Sequence, residues 1–423
     1  MNLIQEIFNK INKKLSNQFL RNFGWLGLSE VILRIVRLVF TVILARFLTP
    51  EDYGLAAIVL AVGEFTRIFL DVGIWWKIIQ ADQQDLEDLC NSSYWLNWVV
   101  YPGIFIVQCL LAFPVSWFYQ NERLILPICI TAIPYLIAPL SSIQYALLHR
   151  ENKLKIVAAI NTVANSSNYI LGALFASLGM GLWAIILPGV LFYPIGCFIK
   201  NKCHSWRPTT GFTREGWKEI WAFGKNTLGV QLLKVLRNNL DYLIVGRFLG
   251  IKELGLYFFG FNAGLGISLS VINALSSALL PHLTEARPDK LEFKKRYFSS
   301  LKIIGLIITP LVLLQSSLAP FYVPIIFGHK WILAIPILIL ICLSAIPRPF
   351  ADAASQLLIA IGKPNLDLRW NVLFTVIFAG ALLIGVQWQA IGVATVVLLI
   401  HLIFLPLFTV WATRYVFSAE VNK

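Results

Sequence analysis

The sequence is short of charge: Asp, Glu, Lys and Arg make up 13% of its 423 residues, against roughly 25% in an ordinary soluble domain. With 58% hydrophobic residues and a mean hydropathy of +0.73, that scarcity excludes a soluble enzyme and a secreted disulfide scaffold. The six cysteines (90, 109, 129, 197, 203 and 342) form no CxxC pair, and five lie in or beside apolar runs. They read as small core residues. No Walker loop or dinucleotide fingerprint is present, which argues against ATP-driven work by this chain alone. The five histidines are scattered, without HExxH or a Cys/His cluster, so neither a metal site nor a cofactor is expected. His401, alone in an apolar run, reads as a satisfied core histidine.

What is abundant is apolar length. Hydrophobic windows place helices near 23–47, 53–79, 92–113, 123–147, 156–177, 181–199, 219–249, 254–280, 298–319, 331–360, 370–386 and 389–412, most of them close to the ~20 residues that cross a bilayer. The expected fold class is an all-α polytopic membrane protein with about 12 transmembrane helices. The formal net charge of +13 is spread unevenly, and its placement argues for a membrane rather than nucleic acid. Segments 1–22, 148–155, 200–218, 281–297, 361–369 and 413–423 hold 21 Lys plus Arg, whereas the alternate connections hold only Lys252 and Lys330. The positive-inside rule then puts both termini in the cytoplasm. Residues 1–22 carry Lys10, Lys13, Lys14 and Arg21 with no uncharged run before a cleavage site, so a removable signal peptide is not expected. Ile4, Ile7, Phe8, Ile11 and Leu15 recur at helical spacing, which predicts a basic amphipathic helix on the inner membrane surface.

The sequence also repeats itself. Phe23-Gly24, Leu28 and Leu33-Arg34-Ile35-Val36-Arg37 return as Phe223-Gly224, Leu228 and Leu233-Lys234-Val235-Leu236-Arg237. After a one-residue slip, Arg46-Phe47-Leu48 and Asp52-Tyr53-Gly54-Leu55 return as Arg247-Phe248-Leu249 and Glu253-Leu254-Gly255-Leu256. Six spans separate the copies, so the halves share orientation about an axis along the membrane normal, a way of building transporters with a central site. The expected organisation is a cytoplasmic segment 1–22, an N-lobe 23–199, a linker 200–218, a C-lobe 219–412 and a cytoplasmic tail 413–423, with the lobes around a central cavity. Thr49-Pro50-Glu51-Asp52 reads as a capped helix start and implies nothing catalytic. Gly260 and Gly264 read as sites of close helix packing.

Charges inside the spans point to where that cavity lies. Glu30, Arg34 and Arg37 share one face of the first span. Three ionised groups there cost roughly 8–10 kcal/mol on the insertion scale, more than the ~7 kcal/mol returned by about fifteen apolar residues. That face must meet protein or water. The pattern recurs in Glu64, Arg67 and Asp71, in Lys234, Arg237 and Asp241, and in Arg348, Asp352 and Gln356; Asn161, Asn165 and Asn168 form an uncharged stripe. Any one pair also fits a buried ion pair joining helices, but the set favours a hydrated pathway. Arg34, Arg37, Lys234, Arg237 and Arg348 supply donors suited to phosphate oxygens. Glu30, Glu64, Asp71, Asp241 and Asp352 either hold a proton or cation or neutralise their neighbours.

Ala45-Arg46-Phe47-Leu48-Thr49-Pro50-Glu51-Asp52-Tyr53-Gly54 resembles the first-hairpin signature of the bacterial polysaccharide transporters, the O-antigen-type flippases of the multidrug/oligosaccharidyl-lipid/polysaccharide exporter superfamily. Asp241-Tyr242-Leu243-Ile244-Val245-Gly246-Arg247-Phe248-Leu249-Gly250 with Gly255-Leu256-Tyr257, and Leu280-Pro281-His282-Leu283-Thr284, are similar to later signatures of that family, from which His282 departs. The resemblance implies two six-helix lobes around a cavity that opens alternately to each side of the bacterial inner membrane. The implied substrate is an undecaprenyl-pyrophosphate-linked oligosaccharide for O-antigen, capsule or exopolysaccharide. Arg34, Arg37, Lys234 and Arg237 are expected on the pyrophosphate, with Arg348 secondary. Membrane lipid, a polysaccharide polymerase and chain-length machinery are the implied partners. A multidrug-type ion-coupled exporter is the nearest alternative, although a basic cavity disfavours cationic drugs. A membrane glycan polymerase or ligase is the enzymatic alternative, disfavoured by the short outer connections.

Overall fold

The computed structural model describes residue 33 and residues 36–70, 74–212 and 217–418. The amphipathic segment expected over 1–22, the first part of the first span, and Glu30, Arg34 and Asp71 lie outside the described residues. In chain order the helices are α1 (36–47), α2 (Pro50–Arg67), α3 (Ile74–Gln80), α4 (Leu86–Tyr119), α5 (Ile125–Ile137), α6 (Pro139–Arg150), α7 (Leu154–Ser177) and α8 (Trp183–Cys203). They continue as α9 (Trp217–Phe248), α10 (Ile251–Ala286), α11 (Lys290–Tyr322), α12 (Ile335–Leu343), α13 (Arg348–Ala360), α14 (Pro364–Gly385) and α15 (Gln389–Ser418). No strand occurs among the described residues. Six helical stretches there are long and apolar enough to cross a membrane, and α5 with α6 makes a seventh across a 64° bend. One of the six, Pro364–Ser418, is 55 residues long and holds both α14 and α15. The chain is an all-α polytopic membrane protein.

The window 53–79 is helix to Arg67, a 3-10 turn at Ile68–Leu70 and helix again from Ile74, with 71–73 outside the described residues. Two other expected spans are broken rather than continuous, and in both proline sets the break. Window 123–147 turns at Ala138, and α6 starts on Pro139; window 331–360 stops at Leu343, and α13 starts at Arg348 between Pro347 and Pro349. Proline has no N–H for the preceding turn and tolerates the first helical position best.

The described residues fall into two compact units, one running through Leu48 and resuming over Val59–Leu232, the other comprising Thr49–Ile58 and the chain from Leu233. In the first unit a buried polar node joins α2, α4 and α5. The Thr66 hydroxyl donates to Gln108 Oε1 at 2.5 Å, and Gln108 Nε2 donates to the Ile128 carbonyl at 2.9 Å and to Thr131 Oγ1 at 3.0 Å. A buried amide left without such partners would be strongly destabilising. Arg150, closing α6, donates to the Ile78 and Ile79 carbonyls at the end of α3, where cations complement the helix dipole. Beside it, Lys153 hydrogen-bonds to Glu151 at 2.6 Å and holds its carboxyl below the usual carboxylate range.

The chain after α8 is strapped to α4 rather than left as a free tether. Asn91 is buried; its Nδ2 donates to Thr209 Oγ1 at 2.9 Å, and its Oδ1 accepts the Thr209 N–H at 2.9 Å. Trp95 Nε1 donates to the Thr210 carbonyl, and the Tyr94, Trp95, Trp206, Phe212 and Trp217 rings interlock around the bonds.

In the second unit the N-terminal turns of α2 and α10 cross at repeat-equivalent glycines. A Cβ on Gly54 would overlap the Ile251 carbonyl oxygen, and one on Gly255 would overlap the Pro50 carbonyl oxygen. Each glycine thus packs on the carbonyl four residues before the other, a reciprocal contact that agrees with the repeat in the sequence. The capping box expected at the start of α2 is present: the Thr49 hydroxyl donates to Asp52 Oδ2 at 2.7 Å, and the Asp52 N–H donates back at 3.2 Å. Tyr53 then meets the Trp331 ring edge-on at 4.9 Å, and Trp331 stacks on Phe259 at 3.9 Å. Gly260 and Gly264 admit Ile337, Leu338 and Cys342 of α12, the close packing expected of them.

Two stability measurements follow from these contacts. Gly54→Ala or Gly255→Ala should lower the thermal unfolding midpoint of the purified protein, through overpacking that costs about 1–3 kcal/mol. Gly63→Ala, where a Cβ meets nothing within 4 Å, should hold or raise it. Asn91→Ala should leave the fold intact but speed protease cleavage within 204–212, since the lost bonds are worth about 1–3 kcal/mol locally.

Candidate functional site

Two polar stripes from separate spans meet in the second unit. On α9, Lys234, Arg237 and Asp241 follow i, i+3, i+7 and so share a face. On α13, Arg348, Asp352 and Gln356 follow i, i+4, i+8. The break before α13 decides what the second stripe does. Because the helix restarts at Arg348, the guanidinium stands in a first turn whose dipole already favours an anion. Two sources of positive potential at one place require carboxylates nearby. Asp241 is within Coulombic reach of Arg348, and Asp352, one turn along α13, is within reach of Arg237, Arg348 and Lys234.

The two carboxylates sit in different surroundings. Asp241 is 5% exposed; its Oδ1 accepts the Tyr242 N–H at 2.9 Å, and its Oδ2 accepts the Tyr257 hydroxyl at 2.8 Å. Both oxygens are committed. Asp352 is exposed, and the Ser276 hydroxyl reaches it only at 3.5 Å, the outer limit of a hydrogen bond. Of the pair, Asp352 is the one free to exchange partners.

The cations are also graded. Arg237 is half-buried and donates from Nη1 to Asn371 Oδ1 on α14. Asn371 in turn donates to the Asp367 carbonyl at 2.8 Å, and Asp367 Oδ1 accepts the Ser355 hydroxyl at 2.6 Å. Asp367 is within Coulombic reach of Arg237. Lys234 is exposed. Arg348 lies over the Phe261 ring, its Cζ 5.8 Å from the centroid; its Nη2 is 3.5 Å from Ser344 Oγ, and its buried Nε has no hydrogen-bond partner among the described residues. Three cations therefore face three carboxylates, Asp241, Asp352 and Asp367. The cluster is close to electrically balanced, and among the described residues Asp352 is the carboxylate with the longest hydrogen bond.

Of the residues singled out in the sequence, Lys234, Arg237, Asp241, Arg348 and Asp352 are brought together here. Arg37 on α1 and Glu64 on α2 belong to the first unit, where both are exposed. Glu30, Arg34 and Asp71 lie outside the described residues. His401 occupies a core position, 7% exposed, against the Phe374 and Phe378 rings at 5.8 and 5.6 Å and within Coulombic reach of Arg348, but its buried Nδ1 has no hydrogen-bond partner among the described residues, so it is not the satisfied histidine expected from the sequence. Sequence reasoning missed Tyr257, Asp367 and Asn371. Asp367 and Asn371 are spaced i, i+4 at the start of α14, a same-face signal hidden because 361–369 reads as a cytoplasmic connection. No group of three His, Cys, Asp or Glu suited to a metal occurs among the described residues.

Similar proteins place this site in a context. The chain is 24% identical to the lipopolysaccharide biosynthesis protein WzxC of Escherichia coli (strain K12) over 390 residues, covering 90% of this chain and 77% of that one. It is 24% identical to the teichuronic acid biosynthesis protein TuaB of Bacillus subtilis (strain 168) over 381 residues, covering 88% and 77%. Among solved structures, the lipid II flippase MurJ in an inward closed conformation superposes with a TM-score of 0.73 at 14% identity, covering 92% of this chain and 87% of that one. An inward-facing multidrug resistance MATE family transporter of the MOP superfamily gives 0.72 at 15% identity, covering 92% and 95%. These two likenesses share a fold with the chain. Residues 43–336 match the family model described as polysaccharide biosynthesis protein. The chain belongs to that family of polysaccharide biosynthesis proteins.

Proposed function

We propose that this protein is a flippase, not an enzyme, which moves undecaprenyl-pyrophosphate-linked oligosaccharide across the bacterial inner membrane by alternating access for surface polysaccharide biosynthesis. The observation that carries the reading is the cluster of Lys234, Arg237 and Arg348 on membrane helices, held in balance by carboxylates of unequal freedom. Charged groups within spans are retained where they meet a substrate or ion path, and guanidinium groups suit phosphate oxygens. The family, and relatives named for lipopolysaccharide and teichuronic acid biosynthesis, support a glycan substrate. The fold shared with a lipid II flippase supports a lipid-linked one. Both termini are cytoplasmic in this reading, which the distribution of Lys and Arg supports. The lobes are 23–199 and 219–412, joined by 200–218.

Within this mechanism the pyrophosphate displaces Asp352 from Arg237 and Arg348, and the released carboxylate is neutralised from solution. Asp241 stays in place and holds Arg348 against α9. Arg34, Arg37 and Lys234 complete the anion contacts, with Glu30, Glu64 and Asp71 as their counter-charges. A polysaccharide polymerase and its chain-length machinery are the partners that would consume the product.

Loss of the protein should cause lipid-linked oligosaccharide to accumulate and surface glycan to fall, read by mass spectrometry of lipid extracts. Unchanged glycan with no intermediate would refute the flippase. Neutral substitution at Arg34 and Arg37 should impair export in the same assay. Asp352→Asn should reduce export about tenfold, the effect of about 1.4 kcal/mol, with little change in unfolding temperature. Asp241→Asn should instead lower the unfolding temperature, because it disturbs two committed hydrogen bonds, each worth about 1.5–3 kcal/mol when a charge is involved.

A further inference from the structure

The outer face of α15 carries a groove with a volume of about 590 Å³, lined by Leu407, Val410, Trp411, Arg414, Tyr415 and Ser418. The spacing i, i+3, i+4, i+7, i+8, i+11 makes these residues one helical face. Leu407, Val410, Trp411 and Tyr415 are 39–56% exposed, and Arg414 and Ser418 are exposed as well. The chemistry changes in one direction along the groove. Its first half offers only Leu407, Val410 and the Trp411 ring; its last turn offers a guanidinium, a phenol and a hydroxyl. From 407 to 418 the helix rises ~16 Å, about half of a ~30 Å hydrocarbon core. The groove is thus one leaflet deep, apolar toward the membrane centre and cationic at the surface.

One wall is already ordered. Trp370 on α14 stacks on Phe408 at 5.0 Å and 14°, Phe408 on Trp411 at 6.1 Å and 24°, and Trp411 on Tyr415 at 5.7 Å and 25°. A chain lying along this ladder orders few new side-chain rotamers, which lowers the penalty for binding. Among the described residues Arg414 is the one charged residue lining the groove, and it forms no ion pair.

We propose that this groove binds one anionic phospholipid of the cytoplasmic leaflet, its phosphodiester on Arg414, Tyr415 and Ser418 and an acyl chain along Trp411, Val410 and Leu407. The leaflet assignment rests on the cytoplasmic C-terminus of the proposed function. The single cation among the described lining residues matches the single charge of a phosphodiester; a pyrophosphate carries more charge than they offer. The site is separate from the α9–α13 cluster and serves the protein's seat in the bilayer rather than the cargo.

The test is native mass spectrometry of the full chain released from vesicles of phosphatidylglycerol and phosphatidylcholine. Wild-type protein should retain phosphatidylglycerol in preference to phosphatidylcholine. Arg414→Gln should retain about tenfold less phosphatidylglycerol, Arg414→Lys should retain most of it, and Arg369→Gln, outside the groove, should match wild type. Equal retention by Arg414→Gln and wild type overturns the proposal. So does displacement of phosphatidylglycerol by equimolar undecaprenyl phosphate, which would assign the groove to a substrate tail. Because the readout is bound lipid, it stands or falls independently of the export assay.

Discussion

The constraint on which the structure depends is the penalty for ionised groups in a low-dielectric slab. A lone guanidinium on a lipid-facing helix costs several kcal/mol, and this chain places three cations on the α9 and α13 stripes alone. The helices around them answer that demand. Asp241 stands one turn beyond Arg237 on α9, Asp352 one turn beyond Arg348 on α13, and Asp367 reaches Arg237 from α14. The unit that holds them is organised to keep these six groups within reach of each other. Its apolar packing, from Trp331 on Phe259 to Gly260 on Ile337, supplies the rigid frame in which that is achieved.

The balance is uneven. Asp241 is gripped by a backbone amide and the Tyr257 phenol, whereas Asp352 keeps one long contact and an exposed carboxylate. Arg237 is steadied by an amide, and Arg348 retains an unused donor. In the proposed mechanism, one fixed and one exchangeable counter-charge let the site release an anion as readily as it binds one.

Much of this was legible in the sequence, and the reasons differ by feature. Long apolar runs report helices directly, so the all-α membrane class followed from composition and window length. The repeat was visible because Gly54 and Gly255 sit in matching tetrapeptides. Lys234, Arg237, Asp241, Arg348 and Asp352 stood out because ionised residues inside an apolar run are rare. The misses have equally physical origins. Tyr257 is apolar enough to vanish into its helix until a carboxylate is seen beside its hydroxyl. Asp367 lies where a polar residue surprises no one, at a helix start next to a basic connection. The interruptions at Pro139 and Pro347 lie inside long apolar windows, so window length joined segments that backbone chemistry divides.

The reciprocal glycine crossing bears on how the two halves of such a chain can drift apart. Each glycine is moulded by a carbonyl on the other copy's helix, so neither side can gain a methyl group while the other stays as it is. A second change cannot compensate either, because the obstacle is main chain and no side chain can be trimmed to make room. Elsewhere the copies have diverged into different polar stripes. At this one crossing the duplication is preserved by geometry, and a chimera that grafts one half onto a foreign partner inherits the requirement intact.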